Sequence, residues 1–316
     1  MSSQKEKVYN FKTSASIEKK SVKPVIYFIF LFLTIFAVLN IRFSDTQRKT
    51  LPFANISDQP QSIAELSLAI RKKLQDTQGT YSVRFEDFES KNAFGINDES
   101  QISAGSIMYI PLLVSVYDLA DKKELDINQR VTVEQGDIQN KGSGIIRYEG
   151  AGASYTVFEL AEIMITKNDA SAAYILANRV IGKKRLESEI SSWQLSQTHY
   201  ITNKISNKDM NMLLRGLYNG SIIQNTETRN SVLSLLNNQE HANLIRKPFE
   251  ENQTVYHMVS NEDDMLHDVG ILSVSSKPYY LGVLAHGIYD KAEAAEIISE
   301  ISQMVYFYQT IKQGEL

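Results

Sequence analysis

Residues 104–117 read Ala-Gly-Ser-Ile-Met-Tyr-Ile-Pro-Leu-Leu-Val-Ser-Val-Tyr, and the apolar run continues to Ala120. Starting at Ser106, the segment carries apolar residues at nearly every position and has no polar face, so as a helix it must be buried on all sides. Pro111 is its one interruption. A helix of this kind is the centre of a fold, and the elements on either side of it define the fold class.

On the N-terminal side, Ile63, Leu66, Ile70 and Leu74 recur at helical spacing, whereas Tyr81, Val83 and Phe85 alternate as a half-buried strand. Phe94 and Ile96 follow as a second strand after Asn92. On the C-terminal side, Thr156-x-x-Glu159 has the form of a capping box ahead of Leu160–Ile165, and Ser206 with Asp209 opens another helix through Leu213, Leu214 and Leu217. Beyond Pro248 the pattern returns to strands, predicted over Thr254–Met258, Gly270–Val274 and Tyr279–Ala285. Asp290 and Glu293 then cap a last helix. Strands at both ends bracketing a helical middle predict an α+β domain: one antiparallel sheet flanked by the terminal helices, and a separate all-helical lobe.

The chain has 316 residues, 33 Lys+Arg against 37 Asp+Glu, a formal charge of −4 and no cysteine. No block of like charge invites nucleic acid. Without cysteine there is no disulfide, thiolate metal site or thiol nucleophile. Between Lys23 and Arg42 lie 18 uncharged residues, about 27 Å as a helix, enough to cross a bilayer. Lys5, Lys7, Lys12, Lys19, Lys20 and Lys23 precede them, and that positive flank belongs in the cytoplasm. The expected organisation is a basic cytoplasmic tail over 1–23, a transmembrane anchor over 24–41, a stalk over 42–60 and an extracytoplasmic domain over 61–316.

The element order, the buried helix opening at a serine, and the phrases AGSIMYIPLLVSVY, MITKNDASAAYIL and HDVGIL resemble the class A β-lactamase and penicillin-binding-protein superfamily over roughly Ile63–Tyr308. The resemblance implies a β-lactamase/transpeptidase-like fold in which three motifs, S-x-x-K, S-D-N and K-T-G, meet at a cleft. It places the nucleophile at Ser106 and the motif lysine at Tyr109. A tyrosine there is neutral and donates rather than accepts, unless a cation such as Lys167 lowers its pKa. The second motif falls on Asn168, Asp169 and Ala170, keeping only the aspartate, which suits a turn-holding role. The third falls on Met258, Val259 and Ser260, which lack the cation for a substrate carboxylate.

Degradation of all three motifs on an intact scaffold implies a pseudoenzyme with a binding or scaffolding role at the cell envelope. The alternative is an active serine hydrolase acylated at Ser106 by an unusual mechanism. The expected partners are the membrane through residues 24–41 and a cell-envelope protein or peptidoglycan. No nucleic acid, cofactor or metal is expected: His257 and His267, across a turn holding Glu262, Asp263 and Asp264, fit no ligand pattern. His267-Asp268 reads as fold-stabilising. Gly142, Gly144, Gly150 and Gly152 around Arg147-Tyr148-Glu149 read as a surface loop at the rim of the cleft, since their spacing matches no phosphate-binding fingerprint.

Overall fold

Ser62 accepts the Glu65 N–H at 3.2 Å and so starts helix α1, Ile63–Leu74, whose Leu66 and Ile70 are fully buried. They pack on a five-stranded antiparallel sheet built from both ends of the chain. Its strands are β1 Thr80–Asp87, β2 Ala93–Ile96, β7 Tyr256–Glu262, β8 Met265–Val274 and β9 Lys277–His286, ordered β2-β1-β9-β8-β7. β1 lies against β9 with Phe85 opposite Leu281, and β8 against β7 with His267 opposite Ser260. The computed structural model describes residues 59–237, 244–249 and 253–313.

One face of the sheet meets α1 and the last helix, α8 Lys291–Gln313, around Val83, Phe85, Leu281, Ile297, Ile301 and Val305. The other face meets the helical lobe: α2 Tyr109–Asp121, α3 Val157–Thr166, α4 Ala170–Ile175, α5 Lys183–Ser192, α6 Asn207–Asn219 and α7 Thr226–Asn237. The predicted α+β architecture is the one observed. β1 differs from its half-buried expectation, because its polar side chains are covered as well. Asn207 Nδ2 donates to the Ser82 carbonyl at 3.1 Å, and Asn211 Nδ2 and Arg215 Nη1 each donate to the Glu86 carboxylate at 2.6 Å. Burial pushes the Glu86 carboxyl up, but these hydrogen bonds and the charges of Arg215 and Arg84 outweigh it and hold the group below its ordinary value.

The central helix is buried from Ile110 to Leu119, as its composition requires. It arrives in two pieces: one tight 3-10 turn over Gly105–Met108, then α2 from Tyr109. Pro111 sits in the first turn of α2, where a missing N–H leaves no bond unmade, so it breaks nothing. The box at Thr156 and Glu159 closes in both directions, at 3.1 Å and 2.6 Å. At the second start Ser206 accepts the Asp209 N–H, while the Asp209 carboxylate turns to Gln197 N and Thr198 Oγ1 instead.

The C-terminal strands are longer than expected. β7 starts at Tyr256 rather than Thr254 but runs on to Glu262, β8 begins at Met265 rather than Gly270, and β7–β8 and β8–β9 close through Asp263-Asp264 and Ser275-Ser276. Both serines have positive φ, 49° and 63°, the geometry of a tight hairpin whose twist matches its strands. Two short ribbons carry too few residues to show a period: β3 Ile102–Ser103 with β6 Lys204–Ile205, and β4 Arg130–Thr132 with β5 Ser154–Thr156. The tail, the anchor and all but the last two residues of the stalk lie outside the described residues. Among the described residues no helix is long and apolar enough to cross a membrane.

Candidate functional site

Gly105 opens the turn that presents Ser106. Its φ is +51°, and a Cβ there would fall on Ser260 Oγ, so only glycine lets β7 approach this closely. The turn is anchored from both sides. Ala104 N donates to the Asn203 carbonyl at 2.9 Å, and His267 Nε2 donates to the Ser103 carbonyl at 3.0 Å while its Nδ1 accepts the Ala285 N–H. Burial pushes the His267 pKa down, so the ring stays neutral in the tautomer these two bonds demand. Its neighbour Asp268 is fully buried, pairs with His257 Nδ1 at 2.9 Å and accepts the Ile245 N–H at 3.0 Å. His267-Asp268 therefore holds the fold, as expected. The two histidines serve separate contacts, His257 on Asp268 and His267 on Ser103.

Ser106 is 3% exposed and does not cap its helix. Its backbone N–H donates to Ser260 Oγ at 3.0 Å, and its Oγ donates to Glu262 Oε1 at 2.9 Å. Ser260 Oγ donates to the same carboxylate oxygen at 3.3 Å. One serine and one glutamate, two residues apart on β7, thus engage both polar groups of the nucleophile position. Residue-by-residue motif matching passed over Glu262. The signal for it was the period of a strand: two residues beyond Ser260 is the same face.

Tyr109 follows one turn later and lines the same cleft. Burial first, then the negative charge of Glu262, push its pKa above the ordinary 10. This corrects the expectation that Lys167 might lower it: the charges that act on Tyr109 are Glu262 and Asp169, and the phenol stays neutral.

The second-motif residues sit at the lobe edge of the cleft. Asp169, 1% exposed, caps α4 by accepting Ser171 N at 2.8 Å and Ala172 N at 3.0 Å, and its other oxygen accepts Ile146 N at 2.9 Å. It holds the turn, as its retention implied. Asn168 has φ +50°, and its Oδ1 is buried without a partner. Ala170 lines the cleft. Gly144 packs directly on the Asp169 side chain and Gly142 bridges to Asp169 at the cleft rim, whereas Ile146–Glu149 forms a short helix and Gly150 and Gly152 face open space.

Of the third-motif residues, Met258 is buried beneath the cleft on the lobe side, Val259 points to the opposite core, and Ser260 reaches Ser106. The cleft itself is about 300 Å³ and is lined by Ser106, Tyr109, Tyr174, Tyr200 and Glu262, with Lys141 and Lys183 exposed at its edge. Among the described residues no group of three or more His, Asp or Glu side chains is placed to hold a metal.

Comparison with known proteins agrees with this architecture. The family described as the Beta-lactamase enzyme family matches over residues 65–309. Beta-lactamase BRO-1 of Moraxella catarrhalis is 22% identical over 208 residues, 60% of this chain and 66% of that protein. Beta-lactamase SME-1 of Serratia marcescens is 28% identical over 113 residues, 36% and 38% of the two chains. The chain thus spans less than two thirds of the length of these relatives. Among solved structures, PBP-A superposes with a TM-score of 0.74 at 21% identity, covering 84% of this chain and 100% of that one. The TLA-3 extended-spectrum beta-lactamase gives 0.72 at 18% identity, covering 78% and 99%.

Proposed function

For a chain that belongs to the Beta-lactamase enzyme family, we propose the role of a β-lactamase-like domain that binds without hydrolysing, displayed outside the cell membrane. The observation that carries the reading is the contact between Ser106 N and Ser260 Oγ at 3.0 Å. Acyl transfer by a serine needs a base, and it needs donors for the oxyanion, of which the nucleophile's own N–H is commonly one. Here that N–H is already consumed by a side chain. The other parts agree: Tyr109 is a neutral phenol where a base would stand, and Met258 offers no charge to a substrate carboxylate. Residues 24–41 support an anchor, with residues 61–316 facing the envelope and a cell-envelope protein or peptidoglycan as partner.

A second reading has its own observation. Ser106 Oγ lies 2.9 Å from Glu262 Oε1, the geometry of a nucleophile with its base, so the alternative is a serine hydrolase acylated at Ser106 with Glu262 taking the proton. Intact mass of the full-length protein after incubation with a penicillin, beside Ser106→Ala, separates the two. The binding reading expects no adduct on either protein. An adduct on the wild type alone overturns it in favour of the hydrolase.

A further inference from the structure

Glu262 is half-buried at the floor of the cleft, and both hydroxyls that reach it, from Ser106 and Ser260, go to Oε1. Oε2 accepts from no described residue. Among the described residues no Lys, Arg or His nitrogen lies within 4.0 Å of the carboxylate. A half-buried carboxylate with one oxygen unpaired and no counter-ion is open to a cationic partner. The same cleft is lined by Tyr109, Tyr174 and Tyr200, and the Glu262 charge acts on Tyr109. Burial pushes Tyr200 up to about 12, and Tyr109 is pushed up as well, so both walls are neutral phenols at physiological pH. Asp169 adds negative potential at the lobe edge, and its three hydrogen bonds all come from backbone N–H groups.

We propose that this cleft is a binding site for an organic ammonium, seated against Glu262 Oε2 and between the tyrosine rings. A carboxylate at the floor with aromatic walls is the combination that recognises a cation, by direct charge pairing and by attraction to ring faces. Lys141 and Lys183 do not cancel it, because they are exposed and screened by water and salt, whereas Glu262 is half-buried. The volume, about 300 Å³, suits a small molecule or the end of one extended side chain. The same charge opposes a carboxylate-bearing β-lactam, so the inference rests on the binding reading above and names the ligand class it lacked.

The test is calorimetric titration of the full-length protein with n-butylammonium, n-butanol and butyrate at fixed ionic strength, with a penicillin mass measurement on the same sample. Butylammonium should bind at least about tenfold more tightly than butanol, and butyrate least of all. Glu262→Gln should lose that preference, and Tyr200→Leu, which keeps the carboxylate, should weaken butylammonium several-fold with an unchanged melting temperature. Equal binding of butylammonium and butanol, or a preference that survives in Glu262→Gln, overturns the ammonium site while leaving the non-hydrolytic reading intact. A penicillin adduct on Ser106 overturns that reading whatever the amines do.

Discussion

Ser106 Oγ and Glu262 Oε1 are 2.9 Å apart in space and 156 residues apart in the chain. The contact closes a small network in which the serine at the nucleophile position gives its hydroxyl to a carboxylate and its N–H to the neighbouring Ser260. The nucleophile's turn, the β7 edge and the first turn of α2 are therefore one unit, and perturbing any of them perturbs the others.

Restoring the missing lysine alone is expected to restore nothing. In Tyr109→Lys the ammonium would stand beside Glu262, whose charge already acts on that position, and would pair with it in the protonated form. A protonated lysine cannot take the proton of Ser106, and Ser260 still holds the Ser106 N–H. Intact mass after penicillin should show no adduct on this variant; an adduct would mean that the lysine was the single missing part.

Gly105→Ala should destabilise the domain by about 2 kcal/mol or more, because the residue needs φ +51° and the new Cβ meets Ser260 Oγ. Urea unfolding would show a lower midpoint. An unchanged midpoint would mean that β7 can move away from the turn at little cost.

Asp169→Ala removes three acceptor contacts from backbone N–H groups in a site that is 1% exposed. A loss of about 3 kcal/mol is expected, and Asp169→Asn, which keeps one carbonyl oxygen, should lose less. Denaturant titration of the two variants checks the order as well as the size.

Acid stability depends in part on a link between the two chain ends of the domain. Burial alone would raise the Asp87 carboxyl, but hydrogen bonds from Lys312 and from the backbone of Ser90 and Glu89 bring it down to about 2, against 3.8 for a free group. The unfolded chain takes up this proton first as pH falls. The contribution is therefore complete above about pH 4 and disappears as pH drops towards 2. Lys312→Met should flatten the fall of the urea midpoint across that window. An identical fall in both proteins would show that other groups govern it.

Where information is local, the chain spells out its structure. The reciprocal box of Thr156 and Glu159 joins partners three residues apart and shows in its local pattern, and the run that becomes α2 shows in its all-apolar composition. β1 shows the limit. Alternation marked Tyr81, Val83 and Phe85 as its buried face, but nothing near Glu86 announces that Asn211 and Arg215 will cover the other.

The same division holds at the site. By itself the amino-acid order determined the fold class, the position of Ser106 at the start of a buried helix, the absence of a lysine at Tyr109 and Met258, and the capping aspartate at Asp169. The tertiary structure alone decided what surrounds the nucleophile position: a strand from the far end of the chain carries Ser260 and Glu262 onto the nucleophile turn, and a neutral His267 pins Ser103, two residues before that turn. The physical reason is that hydrogen bonds and electrostatic fields act over ångströms of space. A carboxylate at the end of a strand acquires its role only when sheet register and a glycine without a side chain bring it within reach of one hydroxyl.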